Sequence, residues 1–304
     1  MKTIQQLAII GATASGKSGA SIEIASKLDA YILSLDSLSI YKEIDIASAK
    51  PTLEERQGIP HFGIDVFYPN QAFDVTEFIK LYQEAYSKAL EDNKALVIVG
   101  GSSFYLKILI EGISKLPTIS QESKNKTQER LKDLSSSYAI LYALDQKYMQ
   151  NIALTDRYRI EKVLDIYHET NLAPSHYFSQ NSPQPIIQGE LPIYSIATNR
   201  QVLRERIKLR TYQMIKQGIL DEVCYLEKKY TRTPNPMKSI GIKETLDYLD
   251  GRYNKNIMIE KIITNTARLA KRQSTFNNSQ FEDKIVVTLE ELSKLASNDT
   301  LKKL

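Results

Sequence analysis

The chain of 304 residues contains no tryptophan and only one cysteine, Cys224. A lone thiol makes no intramolecular disulfide, and the three histidines, His61, His168 and His176, lack the spacing of a zinc site. Structural zinc is not expected; Cys224 reads as a small buried hydrophobe on a helix, and the histidines as ordinary surface or core residues. No apolar run is long enough to span a bilayer. The opening MKTIQQLAIIGA passes from a short polar start into a strand-like segment, without the longer apolar stretch and small-residue cleavage site of a secretory signal. The expectation is a cytoplasmic monomer without membrane attachment. Neither sign of charge dominates: 40 Lys and Arg stand against 36 Asp and Glu, which permits a polyanionic partner without requiring one. No internal repeat is visible.

What is present is a composition of 42% hydrophobic and 25% charged residues, ordinary for a folded domain, in a chain long enough for one elaborated domain or two. Apolar Leu7–Ile10 runs into a glycine-containing turn and then a stretch where Ile22, Ala25 and Leu28 recur at helical spacing. A second apolar run, Tyr31–Leu35, stops at Asp36. After an irregular stretch bearing Pro51, Pro60 and Pro69, the residues Phe78, Tyr82, Ala85 and Ala89 mark another helix, followed by Ala95–Val99 and Gly100-Gly101. This alternation of strand and helix predicts an α/β fold with a doubly wound parallel sheet, in which ligands gather at the carboxyl ends of strands. Gly11, Asp36 and Gly101 all fall at such ends.

From about Gly112 to Pro192 polar helical segments take over, so residues 113–192 read as a mainly helical insertion into a core formed by 1–112 and 193–304. Ile193–Ala197 returns the chain to the sheet. Leu203, Ile207, Met214, Ile219 and Val223 trace one long amphipathic helix. A helix around Ile259–Gln273 gives way to the polar run Ser274–Gln280, and Ile285–Val287 suggests a last short strand.

GATASGKS, residues Gly11, Ala12, Thr13, Ala14, Ser15, Gly16, Lys17 and Ser18, satisfies the pattern G-x-x-x-x-G-K-[ST] and stands between a predicted strand and a predicted helix, the setting a P-loop requires. Consecutive backbone N–H groups wrap an oxyanion only where glycine permits the necessary dihedrals, Lys17 adds a movable positive charge, and the Ser18 hydroxyl suits Mg²⁺. The motif specifies a diphosphate without saying which one. Asp36, just past the second strand, should face the same crevice and suits a general base; the bland alternative is a turn or helix cap.

Taken in order, GATASGKS, DSLSIY at Asp36–Tyr41, ASAKP at Ala47–Pro51, VGGSSFYLK at Val99–Lys107, DRYRIEKVLDIY at Asp156–Tyr167, IGIKE at Ile240–Glu244 and AKRQSTF at Ala270–Phe276 resemble the tRNA dimethylallyltransferases, and these blocks span the chain from Ile9 to about Phe276. The resemblance implies a P-loop NTPase-like core with a helical insertion, Mg²⁺ dependence, and transfer of dimethylallyl from its diphosphate to N6 of the adenosine just 3′ of the tRNA anticodon. It implies that Asp36 is the general base, that Ser102 stands where the family usually has Thr, and that Arg159 and Lys17 serve the diphosphate. Contacts to the tRNA anticodon loop are implied for Asp36, Ser37, Leu38 and Ser39, for Arg159, Ile160, Lys162 and Val163, for Lys243, and for Arg268, Lys271 and Arg272. Ser39-Ile40 replaces the family's Gln-Val, Ile242 its Tyr, Lys162 its second Arg and Phe276 its Trp; Lys162 keeps a charge but loses the bidentate fork.

Two basic clusters fit a polyanion. Arg200, Arg204 and Lys208 lie four apart, as do Arg206 and Arg210, and Arg268 and Arg272 repeat the spacing, so two helices would each carry basic stripes. Solvated helix faces carry similar patterns. A P-loop small-molecule kinase would use the same cradle with Asp36 as base, and an adenylate isopentenyltransferase would share the donor but act on free nucleotides. A non-catalytic RNA-binding protein would not need Lys17, Ser18 and Asp36 intact. The basic second half of the chain favours tRNA among these.

Overall fold

A computed structural model describes residues 3–297, which divide into two compact units, one running up to 109 and again from 187, the other spanning 110–186. The first unit is built on a six-stranded, wholly parallel sheet. Its elements begin with β1 (Gln6–Ile10), α1 (Lys17–Leu28), β2 (Ala30–Ser34), β3 (His61–Phe62), α2 (Val75–Glu91), β4 (Ala95–Gly100) and α3 (Ser103–Glu111), the last of which leads into the second unit. The second unit holds α4 (Gln121–Arg130), α5 (Leu134–Leu144), α6 (Gln146–Met149), α7 (Arg157–Thr170) and α8 (Pro174–Gln180). The chain then rejoins the sheet with β5 (Ile193–Ile196) and continues through α9 (Arg200–Gln217), α10 (Ile219–Tyr230), a 3₁₀ turn at Asn235–Lys238, α11 (Ile242–Leu249), α12 (Lys255–Gln280), β6 (Ile285–Val287) and α13 (Leu289–Ser297).

The strand order is β3-β2-β4-β1-β5-β6, so the P-loop strand lies inside the sheet with β4 on one side and β5 on the other. Both faces of such a sheet are covered, and its strands read as near-continuous apolar runs: QLAII, AYILS and ALVIVG are buried almost throughout. Ile22, Ile24 and Ala25 of α1 and Leu292 of α13 pack with Leu7, Ile9, Ile32, Val97 and Val99 into one core. The helical unit has its own core, formed by Leu131, Leu141, Met149, Ile160, Val163 and Leu164.

Three local expectations are corrected. The long amphipathic helix is two helices: Gly218, at φ 97°, adopts a left-handed conformation that ends α9 and caps the start of α10. The polar run Ser274–Gln280 is helical, the end of the 26-residue α12, since polarity sets which side faces solvent and does not by itself end a helix. Cys224 is exposed on α10. Among the described residues no helix is long and apolar enough to cross a membrane.

Candidate active site

The carboxyl ends of β1, β2 and β4 converge, and each delivers a functional segment. After β1 the chain turns through Gly11–Gly16 into α1, with Ala14 at φ 63° and Gly16 at φ 93°. A left-handed N-cap is glycine's territory, and it leaves the first-turn N–H groups of α1 pointing back into the loop, where an anion binds. Ser15 is wholly buried, and its hydroxyl has no partner among the described residues. Lys17, only 8% exposed, folds back so that its Nζ donates to the Ala12 carbonyl at 2.9 Å. Burial pushes its pKa down to about 8, with Arg210 adding to the fall and Asp36 opposing it.

The end of β2 is tied to the end of β4. Ser102 N donates to Leu35 O at 2.9 Å, and a Cβ on Gly100 would lie 2.6 Å from the Leu35 backbone, so only glycine allows this approach. The result sets Ser102 beside Ser37, Oγ to Oγ 3.5 Å. Asp36 makes the turn weighed for it with one oxygen only. Its Oδ1 accepts from Leu38 N at 2.8 Å and Ser39 N at 3.0 Å, closing an Asx-type turn that orients the carboxylate and leaves Oδ2 outside the turn.

Helices α9 and α12 close over this edge: Ile207 and Ala270 pack on Ala12, with Ala14, Leu203, Ile263 and Ala267 around them. Arg206 Nη1 donates to Ser15 O at 3.2 Å, and Arg210 Nη2 donates to Ser48 O at 3.1 Å while its Nη1 reaches Thr13 Oγ1 at 3.5 Å. Burial lowers the Arg210 guanidinium from its ordinary value, and Asp36 opposes the shift. From α12, Gln273 Oε1 accepts from Thr13 N at 2.8 Å.

The enclosed space is a cavity of about 190 Å³ with two kinds of wall. Thr13, Lys17, Asp36, Ser102 and Arg210 make one part polar, while Ile207, Met214, Ile240, Ile262 and Leu269 make another apolar. Such a site takes a ligand with a strongly anionic head and a small hydrocarbon body. On the other side of the cradle, Gly16, Lys17 and Ser18 border an open groove of about 1040 Å³ with Arg206 and Lys50.

The structure thus brings Lys17, Asp36, Ser37, Leu38 and Ser102 together at one cavity. Ser39 is buried beneath it. Lys243 is exposed on α11, paired with Asp247 at 3.2 Å, and Arg268, Lys271 and Arg272 are exposed on α12. Arg159, Ile160, Lys162 and Val163 belong to α7 of the helical unit. Arg159 is exposed there near Asp156, and Lys162 lies 3.7 Å from Asp165. Ile160 and Val163 are a correction: their side chains are 0% and 3% exposed in that unit's core, so they hold it together and do not present themselves to RNA. Arg206, Arg210 and Gln273 are the functional-site residues that sequence reasoning did not place. A signal existed, since Arg206 and Arg210 flank Ile207 and Met214, the apolar positions of the face of α9 that is buried.

Fold and site together define a P-loop α/β protein with a phosphate cradle and a carboxylate on the polar part of one cavity and an apolar wall beside them. Its family follows from comparison with known proteins. The family model of the IPP transferases matches residues 39–280, and a tRNA dimethylallyltransferase of Sulfurovum sp. is 60% identical over 292 residues, covering 96% of this chain and 97% of that protein. A solved structure of a full-length tRNA isopentenylpyrophosphate transferase from Bacillus halodurans superposes with a TM-score of 0.72 at 25% identity, covering 98% and 97% of the two chains. One of a eukaryotic dimethylallyltransferase acting on tRNA shares the fold with a TM-score of 0.84 at 24% identity, covering 98% of this chain and 77% of that one. The chain belongs to the IPP transferase family, among the tRNA dimethylallyltransferases. The family-model match begins after the P-loop and Asp36, so likeness across those residues rests on the full-length relatives.

Proposed function

We propose that the protein transfers a dimethylallyl group from dimethylallyl diphosphate to N6 of the adenosine immediately 3′ of the anticodon of tRNA, in the cytoplasm, as a monomer. The observation that carries this reading is the two-walled cavity: Lys17 and Arg210 at its polar part suit a diphosphate, and Ile207, Met214 and Ile262 suit five branched carbons. In the reaction the C1–O bond of the donor breaks, the C1–N6 bond forms, the diphosphate departs, and a proton leaves N6. The P-loop amides, Lys17 and Arg210 stabilise charge growing on the departing oxygens, where fixed donors act most strongly. Asp36 takes the proton at Oδ2, and its Oδ1 turn keeps the carboxylate aimed. The Ser102 hydroxyl, beside Ser37, donates to the leaving group or to the base. Arg159, from the helical unit of residues 110–186, is assigned to the diphosphate on the family resemblance.

Mg²⁺ fits the donors present. The Ser18 hydroxyl, on the first turn of α1, borders a small cavity of about 70 Å³ at the cradle, and a hydroxyl oxygen completed by phosphate and water oxygens is the kind of ligand set Mg²⁺ prefers. When bound, it neutralises charge on the diphosphate. The anticodon loop is assigned to Ser37 and Leu38 at the cavity mouth, to Arg159 and Lys162, to Lys243, and to Arg268, Lys271 and Arg272. A stacked adenine must be drawn out to reach Asp36, at a cost of a few kcal/mol that backbone contacts offset.

The test is incubation with Mg²⁺, dimethylallyl diphosphate and unmodified tRNA, with ATP, AMP and small acids in parallel arms, followed by nucleoside mass analysis. N6-dimethylallyladenosine should form in tRNA and should fall on the order of a thousandfold in rate with Asp36→Asn, which keeps the turn oxygen but removes the base. Transfer from ATP instead, or prenylation of AMP alone, would refute the assignment.

A further inference from the structure

The loop 45–49 lies between the inner cavity and the outer groove: Ala47 and Ser48 line the first, Asp45, Ile46 and Ala49 the second. It is held in a shape it would not adopt alone, since Ala49 has φ 46°, in the left-handed region that alanine rarely occupies. Its three successive N–H groups converge on one carboxylate. Glu222 Oε2 accepts from Asp45 N at 2.9 Å and Ile46 N at 2.7 Å, and Oε1 accepts from Ala47 N at 2.9 Å. Convergent amides of this kind form an anion-binding nest, here filled by a side chain 175 residues away in sequence. Glu222 stands in the first turn of α10, where a carboxylate is favoured by the helix.

The opposite group on the same loop is gripped from the preceding helix. Ser48 O accepts from Arg210 Nη2 at 3.1 Å, and Arg210 lies on α9, joined to α10 by the left-handed Gly218. One helical elbow therefore holds the loop at both kinds of backbone group, with an acid on its amides and a base on its carbonyl. Displacing the loop would remove the carbonyl that fixes the Arg210 guanidinium beside Thr13, Lys17 and Asp36.

We propose that Glu222 is a positioning residue for the diphosphate end of the donor: by holding 45–47 it keeps Ser48 O, and through it Arg210, aimed into the cavity. Glu222 touches no substrate and acts through Arg210. The inference rests on the proposed donor, and the experiment separates the two. Wild type, Glu222→Ala and Glu222→Gln are compared for steady-state KM toward dimethylallyl diphosphate and toward tRNA, for calorimetric affinity for inorganic pyrophosphate with Mg²⁺, and for Tm. Glu222→Ala should raise the donor KM and weaken pyrophosphate binding about tenfold, with the KM for tRNA changed less than about twofold, because charge-assisted bonds to three amides are lost on the donor side only. Glu222→Gln, which keeps an accepting carbonyl oxygen, should recover part of both effects and serves as the test variant if the alanine protein does not fold. A lower Tm with unchanged pyrophosphate affinity, or equal rises in both KM values, would overturn the proposal and leave Glu222 as a structural tie. Pyrophosphate binding that depends on Glu222 in a protein that makes no prenylated tRNA would uphold the clamp and refute the donor.

Discussion

Helices α9 and α12 carry basic residues at the same four-residue spacing, yet fold and packing send them to different destinations. On α9 the stripe divides: Arg204 and Lys208 are exposed, whereas Arg206 and Arg210 turn under to Ser15 and Thr13 of the cradle and to Ser48 on the loop beside it. On α12, Arg268, Lys271 and Arg272 all stay exposed, and the residue that turns inward is the neutral Gln273. Charge spacing reports that a face exists; the apolar residues beside it report which way the face points. The buried side of α9 is Ile207, Thr211 and Met214, and a guanidinium flanking that stripe reaches over the P-loop. In the proposed reaction this difference is a division of labour, with the inner arginines of α9 serving the donor and the exposed basic residues of α12 serving tRNA.

The largest expected consequence is at Arg210. Arg210→Ala removes a half-buried, hydrogen-bonded charge beside Lys17 and should lower kcat/KM for dimethylallyl diphosphate about a hundredfold, as steady-state kinetics at saturating tRNA would show. An equal loss in tRNA affinity would erase the division. A second test uses Lys17. The protonated amine is the form that binds an anion, and with its pKa pushed down to about 8 the free enzyme loses that charge as pH rises. Donor kcat/KM should therefore fall about tenfold from pH 7 to pH 9, with kcat nearly flat because the bound diphosphate restores the proton. Arg268→Ala with Lys271→Ala and Arg272→Ala should weaken tRNA binding about fivefold and flatten its salt dependence, leaving the donor KM unaltered. The smallest effect belongs to the exposed part of α9: Arg204→Ala with Lys208→Ala should change each KM by less than about twofold, as befits a solvated face.

The parallel sheet was legible because its strands are apolar throughout and its turns carry glycine; β3, two residues long and directly after Pro60, left no such pattern. The cradle was legible for a chemical reason, since few sequences besides a P-loop place Gly11, Gly16, Lys17 and Ser18 between a strand and a helix. Asp36 showed its position and offered both readings, base and turn, but not that the turn takes only one oxygen of the carboxylate. What stayed hidden were contacts across long sequence separations. Gln273 on Thr13 and Glu222 on 45–47 join segments more than a hundred residues apart, and no local propensity encodes such a pairing. Burial of Ile160 and Val163 was hidden for a different reason: the motif that carries them also builds the core of the helical unit.

The most direct test of the division between the two helices is a paired binding measurement with an unreactive thio analogue of dimethylallyl diphosphate and with unmodified tRNA. It is made on Arg210→Ala and on the triple α12 variant. The expected result is crossed, with the first protein losing the analogue while keeping tRNA and the second losing tRNA while keeping the analogue. Loss of both ligands by either protein, or analogue binding unaffected by Arg210→Ala, would contradict it.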